Sequence, residues 1–320
     1  MFLYNVDKNV LEKASKETGF IRDNLEKVYR LIDVLEFING NAYLNNRLVL
    51  KGGTAINLTV FDLPRLSVDI DFDFSQNCSR EEMIKARAEI DEIVTRYMQA
   101  SGYTKNAGRG RDAHALNSWV YSYVNAGGNK DNIKIEINYS MRAHVLPIVS
   151  KEIIFDFMNT PINVKALEKL ELFGSKIKAL LERTAARDLF DVDNMVNNEI
   201  INLKEKDILR KCVLFYKTAG STDDVKREIN LDTIDKLTFT DLRQTLLPVL
   251  RKSEYVDIDK MKNNVKNYLS DLLVFTDKEN EYLDLFLKGE YRPDLLFDDS
   301  DIVERIMNHP MAIWKVQNIR

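Results

Sequence analysis

Apolar residues recur at helical spacing in the first part of the chain and then change to strand patterns. The helical spacing predicts two helices, which end at Gly19 and Gly40. The apolar run LVL at 48–50 predicts a short buried strand, and the glycines after it lead into a short helix from Thr54 to about residue 60. A longer helix is predicted over about 80–100.

Strict alternation of apolar and polar residues marks the sequence SVDIDFDF, residues 67–74. The apolar residues at 68, 70, 72 and 74 face one way, and Asp69, Asp71 and Asp73 face the other, which predicts a half-buried strand. Farther along, SWVYSYVN and NIKIEINY flank the turn AGGNKD and predict a hairpin. Its second arm places Lys134 and Glu136 on the polar face.

Strand-like pieces at 153–157 and 162–164 end this part of the chain, and helical patterns dominate afterwards. The predicted helices cover about 166–183, 187–198, 204–218, 239–249, 260–275 and 279–288. The prediction is therefore an α+β fold, in which a mixed sheet with flanking helices is followed by a C-terminal helical bundle. We place the domains at 1–162 and 163–320.

The composition fits an ordinary globular protein, because 45% of the 320 residues are hydrophobic and 30% are charged. The formal net charge of -4 gives no general attraction to nucleic acid, so any basic binding surface must be local. Cys78 and Cys212 lack the spacing of a zinc site or a disulfide framework. With neither a signal peptide nor an apolar run long enough for a membrane span, we expect a cytoplasmic protein.

The turn Lys51-Gly52-Gly53-Thr54 is the first candidate for chemistry. Glycines between a strand and a helix let a ligand approach the backbone, and Thr54 is predicted to cap the helix, whose free N–H groups attract phosphate. A strand-to-helix turn also uses glycine for geometry alone, so the turn by itself leaves both interpretations open.

Asp69 and Asp71 are the second candidate, since both carboxylates point to one side of the same strand. Neighbouring acids repel each other, and a hard divalent cation such as Mg²⁺ or Mn²⁺ relieves the repulsion. The alternative is a solvated edge strand, and Asp73 in particular is expected to face solvent. Glu136 is either a third metal ligand or a surface residue paired with Lys134.

Two basic stretches are the third candidate. Lys176 and Arg183, two helical turns apart, share a helix face with which they could hold a triphosphate, or they form a solvated stripe beside Glu182. The loop that carries Lys105, Arg109 and Arg111 is either plain surface or a contact for nucleic-acid phosphate.

Three separated motifs resemble the AbiEii/AbiGii nucleotidyltransferase toxin family, whose relatives include the MenT toxins and which belongs to the polymerase-beta-like superfamily. The stretch LVLKGGTAINLTVFDLPRLSVDIDFDFS matches the family's Gly-Gly and Asp-x-Asp signature at Gly52, Gly53, Arg65, Ser67, Asp69 and Asp71. The stretch IKIEINYSMR resembles the strand of the third carboxylate, Glu136, and ends in Arg142. The stretch LELFGSKIKALLERTAARDLFDV resembles the second-half motif at Lys176, Arg183, Arg187, Asp188 and Asp191.

The resemblance implies a nucleotidyltransferase-like sheet and transfer of a nucleoside monophosphate from an NTP to an acceptor. It implies RNA, with tRNA first, as that acceptor, and a toxin whose antitoxin is a separate protein encoded beside it, in a toxin–antitoxin or phage-defence pair. Asp69, Asp71, Lys176 and Asp188 would be catalytic, and the metal, Mg²⁺ or Mn²⁺, would bind Asp69, Asp71 and Glu136. The nucleotide would contact Gly52, Gly53, Thr54, Ser67, Arg183 and Arg187. An antibiotic- or protein-modifying nucleotidyltransferase and a degenerate nucleotide-binding module are the alternatives.

Overall fold

A computed structural model describes residues 7–106, 110–113, 115–154, 161–220, 225 and 227–318, with the backbone alone at 111–113. The chain divides into two compact units. The first comprises Met1–Arg142, Val149–Ala166 and Pro248–Glu254, and the second comprises Ala143–Ile148, Leu167–Leu247 and Tyr255–Arg320. The domain boundary predicted between residues 162 and 163 stays a prediction.

The first unit contains a mixed sheet. Its strands are β1 (Leu48–Lys51), β2 (Asp69–Phe74), β3 (Thr104–Lys105), β4 (Arg111–Ala113), β5 (Leu116–Val124), β6 (Lys130–Asn138), β7 (Val149–Glu152) and β8 (Asn163–Ala166). The order is β3-β5-β6-β2-β1-β8-β7, and β4 pairs with β5. The β2–β6 and β1–β8 pairs are parallel, and the other pairs are antiparallel.

In the described part of this unit, the sheet is accompanied by five helices: α1 (Lys8–Thr18), α2 (Arg22–Gly40), α3 (Ala42–Asn45), α4 (Gly52–Thr59) and α5 (Arg80–Ala100). Gly19 ends α1 in the left-handed conformation at a φ of 79°, which glycine adopts without a steric penalty. Ser79 and Glu82 form a capping box that fixes the start of α5. The predicted bounds of α5 are thereby confirmed.

The centre of the sheet has one apolar and one polar face. Strand register places Leu50 opposite Phe72, and Ile70 opposite Ile135, and all four side chains are buried. The alternate residues of the same strands, among them the three aspartates of β2, form the polar face. The hydrophobic effect therefore fixes which side of β2 carries its acids.

The second unit is helical. Its longer elements are α6 (Lys169–Arg183), α7 (Ala186–Asn197), α8 (Lys206–Ala219), α10 (Ile258–Leu272), α11 (Asp277–Leu287), α13 (Ser300–Met307) and α14 (Pro310–Gln317), with the single turn α12 (Pro293–Leu296). The helix predicted over 239–249 is wrong as one α-helix. It consists of α9 (Phe239–Asp241), a π-helical turn (Leu242–Leu246) and a 3₁₀ turn (Leu247–Val249), and a further 3₁₀ turn covers Leu231–Lys236.

Gly174 lies inside α6, where a glycine costs about 1 kcal/mol relative to alanine. A Cβ atom added to it would lie 2.6 Å from Cβ of Cys212 on α8. The glycine therefore lets α6 and α8 pack closely, and α6 runs unbroken through it.

The α+β prediction is confirmed, with a mixed sheet in the first unit and helices in the second. The strand predicted at 153–157 lies partly outside the described residues, and the observed strand in that region is β7. Within the described part of the chain, no helix is long and apolar enough to cross a membrane.

Candidate functional site

The turn between β1 and α4 brings backbone against an acidic side chain. Gly52 has a φ of 69°, which disfavours any residue with a Cβ. A Cβ atom at this position would lie 2.5 Å from Oδ2 of Asp71. The first glycine is therefore required both by the backbone conformation and by the close approach of Asp71.

The second half of the turn is tied to the start of β2. The buried Thr54 hydroxyl donates to the carbonyl of Asp69, and it lies 2.9 Å from the Ser67 hydroxyl. A Cβ atom on Gly53 would lie 2.8 Å from Nη2 of Arg65. The prediction that Thr54 caps the helix is wrong, because α4 begins at Gly52 and Thr54 lies within its first turn.

Among the described residues, no side chain caps the start of α4. The first N–H groups of a helix have no partner within the helix, and they carry the positive end of its dipole. This end of α4 therefore has the chemistry that an anionic ligand needs.

The three aspartates of β2 differ in their surroundings. Asp69 and Asp71 are half-buried on the polar face. Asp73 is wholly buried, and its Oδ1 lies 2.5 Å from Nζ of Lys51. The expectation that Asp73 faces solvent is wrong, because its side chain is wholly buried and Lys51 on the neighbouring strand supplies a compensating cation.

Glu136 lies on β6 directly opposite Asp71. Its carboxylate is 2.7 Å from Nζ of Lys134, which is the ion pair foreseen as the alternative to metal binding. Among the described residues, no group of three or more His, Cys, Asp and Glu side chains is arranged to hold a metal ion. Asp69 and Asp71 thus supply two carboxylates on one face, and the metal role of Glu136 stays a prediction.

In the second unit, four side chains form what we call the Lys176 cluster: Lys176, Arg183, Asp188 and Asp191. Nζ of Lys176 lies 2.8 Å from Asp188 and 3.1 Å from Asp191. Nε of Arg183 donates to Asp188 at 2.6 Å, and Nη2 donates to the other oxygen of Asp188 at 2.9 Å. These four residues, which match the family's second-half motif in sequence, thus form a contiguous ion-pair network that joins α6 to α7.

Charge and burial compete in setting the acidity of Asp188. Burial alone would raise the pKa of this carboxyl group, but the charges of Lys176 and Arg183 outweigh burial and lower its pKa well below the usual range. Asp188 is therefore a carboxylate that accepts hydrogen bonds and orients the two cations.

The remaining predicted basic residues have different surroundings. Arg187 is half-buried on α7 and forms no salt bridge with a described residue. Lys178 pairs with Glu182 and donates to the carbonyl of Gly220. Lys105 pairs with Asp91 at 2.6 Å.

All of Arg109 and the side chain of Arg111 lie outside the described residues. The basic loop as a nucleic-acid contact therefore stays a prediction.

Sequence reasoning missed the part played by Lys51. It directly precedes the glycine pair, and alternation places it on the face that carries the acids. That position was the available signal, but a strand pattern does not show which of two nearby acids a lysine contacts.

A glycine turn packed against an Asp-x-Asp strand within a mixed sheet is the arrangement that the resemblance to the nucleotidyltransferases leads us to expect. The family model described as "Nucleotidyl transferase AbiEii toxin, Type IV TA system" matches residues 36–284, which is more than half of the chain. The chain therefore belongs to the AbiEii family and is a nucleotidyltransferase toxin of a type IV toxin–antitoxin system. The resemblance inferred from sequence is confirmed.

Structure comparison finds MenT4, a nucleotidyltransferase toxin from Mycobacterium tuberculosis H37Rv. The identity is 15% and the TM-score is 0.65, and the match covers 97% of this chain and 99% of that one. At this identity the likeness concerns the fold. A search of curated proteins finds no match.

Proposed function

We propose that the protein transfers a nucleoside monophosphate from an NTP to an RNA acceptor, with tRNA as the first candidate, in a reaction that depends on Mg²⁺ or Mn²⁺. The observation that carries the proposal is the shared face of Asp69 and Asp71, with Asp71 pressed against the Gly52 backbone. This arrangement puts two carboxylates beside the first turn of α4, whose N–H groups favour phosphate.

The donor set fits a hard divalent cation. Both candidate ligands are carboxylates, and their mutual repulsion on one strand face favours a bound cation. Asp69 and Asp71 would hold the metal, and water and the triphosphate would complete its oxygen shell. When bound, such a metal neutralises phosphate charge and orients the reacting oxygens.

The protein's own groups would bind and orient the donor nucleotide. The N–H groups at the start of α4 favour phosphate, and the Thr54–Ser67 contact holds that turn against β2. On the family resemblance, we assign Lys176 and Asp188 to catalysis and Arg183 and Arg187 to nucleotide binding. The acceptor hydroxyl would attack the α-phosphate, and pyrophosphate would leave.

The proposal of an RNA acceptor rests on the family resemblance, and no contact among the described residues supports it. The overall charge is -4, and Lys105 is neutralised by Asp91. Positive charge for RNA must therefore be concentrated at a few positions, such as Arg187, and RNA binding should weaken steeply as salt rises. Any antitoxin would be a separate protein.

The decisive experiment incubates the full chain with each labelled NTP, Mg²⁺ and total RNA. We expect one NTP to label a discrete small-RNA band, and we expect Asp69→Asn and Asp71→Asn to abolish labelling with an unchanged melting temperature. Asp131→Asn is the matched control, because it also removes a carboxylate from this sheet. We expect this control to keep activity.

Labelling of protein or of an added aminoglycoside in place of RNA would redirect the proposal to another acceptor. Binding of NTP with no labelling of any acceptor would support a degenerate binding module. Labelling that survives in both aspartate variants would refute the metal site.

A further inference from the structure

Two lysines lie directly opposite Asp69 and Asp71 on the neighbouring strands without pairing with either of them. Strand register places Lys51 directly opposite Asp71, and Lys134 directly opposite Asp69. Yet Lys51 pairs with Asp73 at 2.5 Å, and Lys134 pairs with Glu136 at 2.7 Å. Neither lysine makes another salt bridge with a described residue.

The pairing of Lys51 is the more informative of the two, because Lys51 contacts Asp73 and not Asp71, which lies directly opposite it. Directly opposite residues on one face have Cβ atoms about 4.5–5.5 Å apart, and diagonal neighbours are about 7–8 Å apart. Lys51 nevertheless takes the diagonal partner, Asp73, whose direct partner is the buried Val49.

The burial of Asp73 explains this preference. Its carboxylate is wholly buried, whereas the Lys51 side chain is 24% exposed and Asp71 is half-buried. Water can solvate a half-buried carboxylate, but a wholly buried one depends on its partner for compensation. The ammonium group is therefore held more firmly by Asp73 than Asp71 could hold it.

We propose that Asp73 is a positioning residue, which holds the Lys51 ammonium group and so keeps this cation off Asp71. A lysine on Asp71 would neutralise the carboxylate and compete directly with a divalent cation. The third acid of the strand thus acts on metal binding through Lys51, without touching the metal. This inference rests on the proposed metal role of Asp69 and Asp71.

The test compares Mn²⁺ affinity, measured by electron paramagnetic resonance, in the full-length wild type, Asp73→Asn and the double variant Asp73→Asn/Lys51→Met. If Lys51 occupies Asp71 about nine-tenths of the time once Asp73 is neutral, the apparent Kd for Mn²⁺ rises about tenfold in the single variant. The double variant carries no ammonium group at this position, and its Kd returns to within about twofold of wild type.

Asp131→Asn is the matched control. It removes the acid of another Lys–Asp pair, Lys27–Asp131 at 2.7 Å, in which the aspartate is on the same sheet and the lysine is on α2, and we expect it to leave the Kd for Mn²⁺ unchanged. Wild-type affinity in Asp73→Asn would overturn the inference while leaving the proposed function intact. An Asp69→Asn/Asp71→Asn variant that binds Mn²⁺ like wild type would overturn the metal site, and the inference with it.

Removing one negative charge also weakens cation binding through space, so a direct readout of Lys51 is required. The ¹⁵N resonance of its Nζ, assigned by its absence in Lys51→Arg, should not respond to Asp71→Asn in the wild-type background. It should shift on Asp71→Asn in the Asp73→Asn background. A shift already in the wild-type background would overturn the inference, and that comparison holds even if Asp73→Asn does not fold.

Discussion

Replacing Asp188 by asparagine removes one charge from the Lys176 cluster while keeping the shape of the side chain. Asp188 is 1% exposed and binds both Lys176 and Arg183. After the change, Lys176, itself 6% exposed, keeps Asp191 at 3.1 Å as its ion-pair partner. Arg183 is 64% exposed and can return to water.

The expected loss of unfolding free energy follows from this geometry. Breaking a buried ion pair by removing one partner costs about 3–5 kcal/mol, because the remaining charge stays buried. Since Asp191 still compensates Lys176, we expect the lower end, about 3 kcal/mol. Urea denaturation followed by circular dichroism measures this difference.

Asp298→Asn is the matched control for Asp188→Asn. It breaks a Lys–Asp pair of the same 2.8 Å length, Lys278–Asp298, whose side chains are 65% and 70% exposed. Exposed pairs contribute about 0–1 kcal/mol, so this variant should stay near wild type. A loss below about 1 kcal/mol for Asp188→Asn would refute the compensation argument.

The difference in unfolding free energy between wild type and Asp188→Asn should also depend on pH. The folded-state pKa of Asp188 is depressed below its unfolded value of about 3.9, so its contribution is fully present above that pH and is lost on acidification towards the folded pKa. The stability difference between wild type and Asp188→Asn should therefore be constant from neutral pH down to about pH 5 and shrink below about pH 4. A difference that grows on acidification would contradict the assignment.

Three further predictions concern activity. Gly52→Ala should abolish nucleotide transfer. Its control is Gly102→Ala, at a similar φ of 84° but with nothing within 4 Å of an added Cβ, which should keep activity while the melting temperature falls by a comparable amount. Equal activities in the two variants would show that the close approach of Asp71 to Gly52 is unimportant. Glu136→Gln should raise the Mg²⁺ concentration needed for half-maximal transfer if Glu136 is a ligand, and an unchanged requirement would leave it as the partner of its lysine. Lys176→Ala should reduce transfer by folded protein more than Lys178→Ala, and equal losses would make α6 a generic basic face.

The elements around the turn were predictable because burial and alternation act over a few residues. The run LVL predicted β1, the strict alternation at 67–74 predicted β2, and the hairpin pattern predicted β5 and β6. The face that carries Asp69 and Asp71 followed from the same period of two.

The ion pairs were not predictable from the sequence. Lys51 has two acids within reach on β2, and only the complete burial of Asp73 decides between them. The contact between Lys134 and Glu136 likewise depends on side-chain rotamers, which a strand pattern does not show. The break in the helix predicted over 239–249 has a signal in the sequence, because Pro248 lies in the 3₁₀ turn at its end and has no N–H for an α-helical hydrogen bond.

The segment Pro248–Glu254 belongs to the first unit although it follows most of the second unit in sequence. Its carbonyl at Val249 accepts from Leu66, and its amide at Lys252 donates to the carbonyl of Gly19. A gene truncated after residue 166 would keep every strand but would leave these two backbone groups without their partners. The first unit is thus completed only after residue 254 of 320 has been synthesised, so about four-fifths of the chain must be made before this toxin can finish folding its sheet-bearing half.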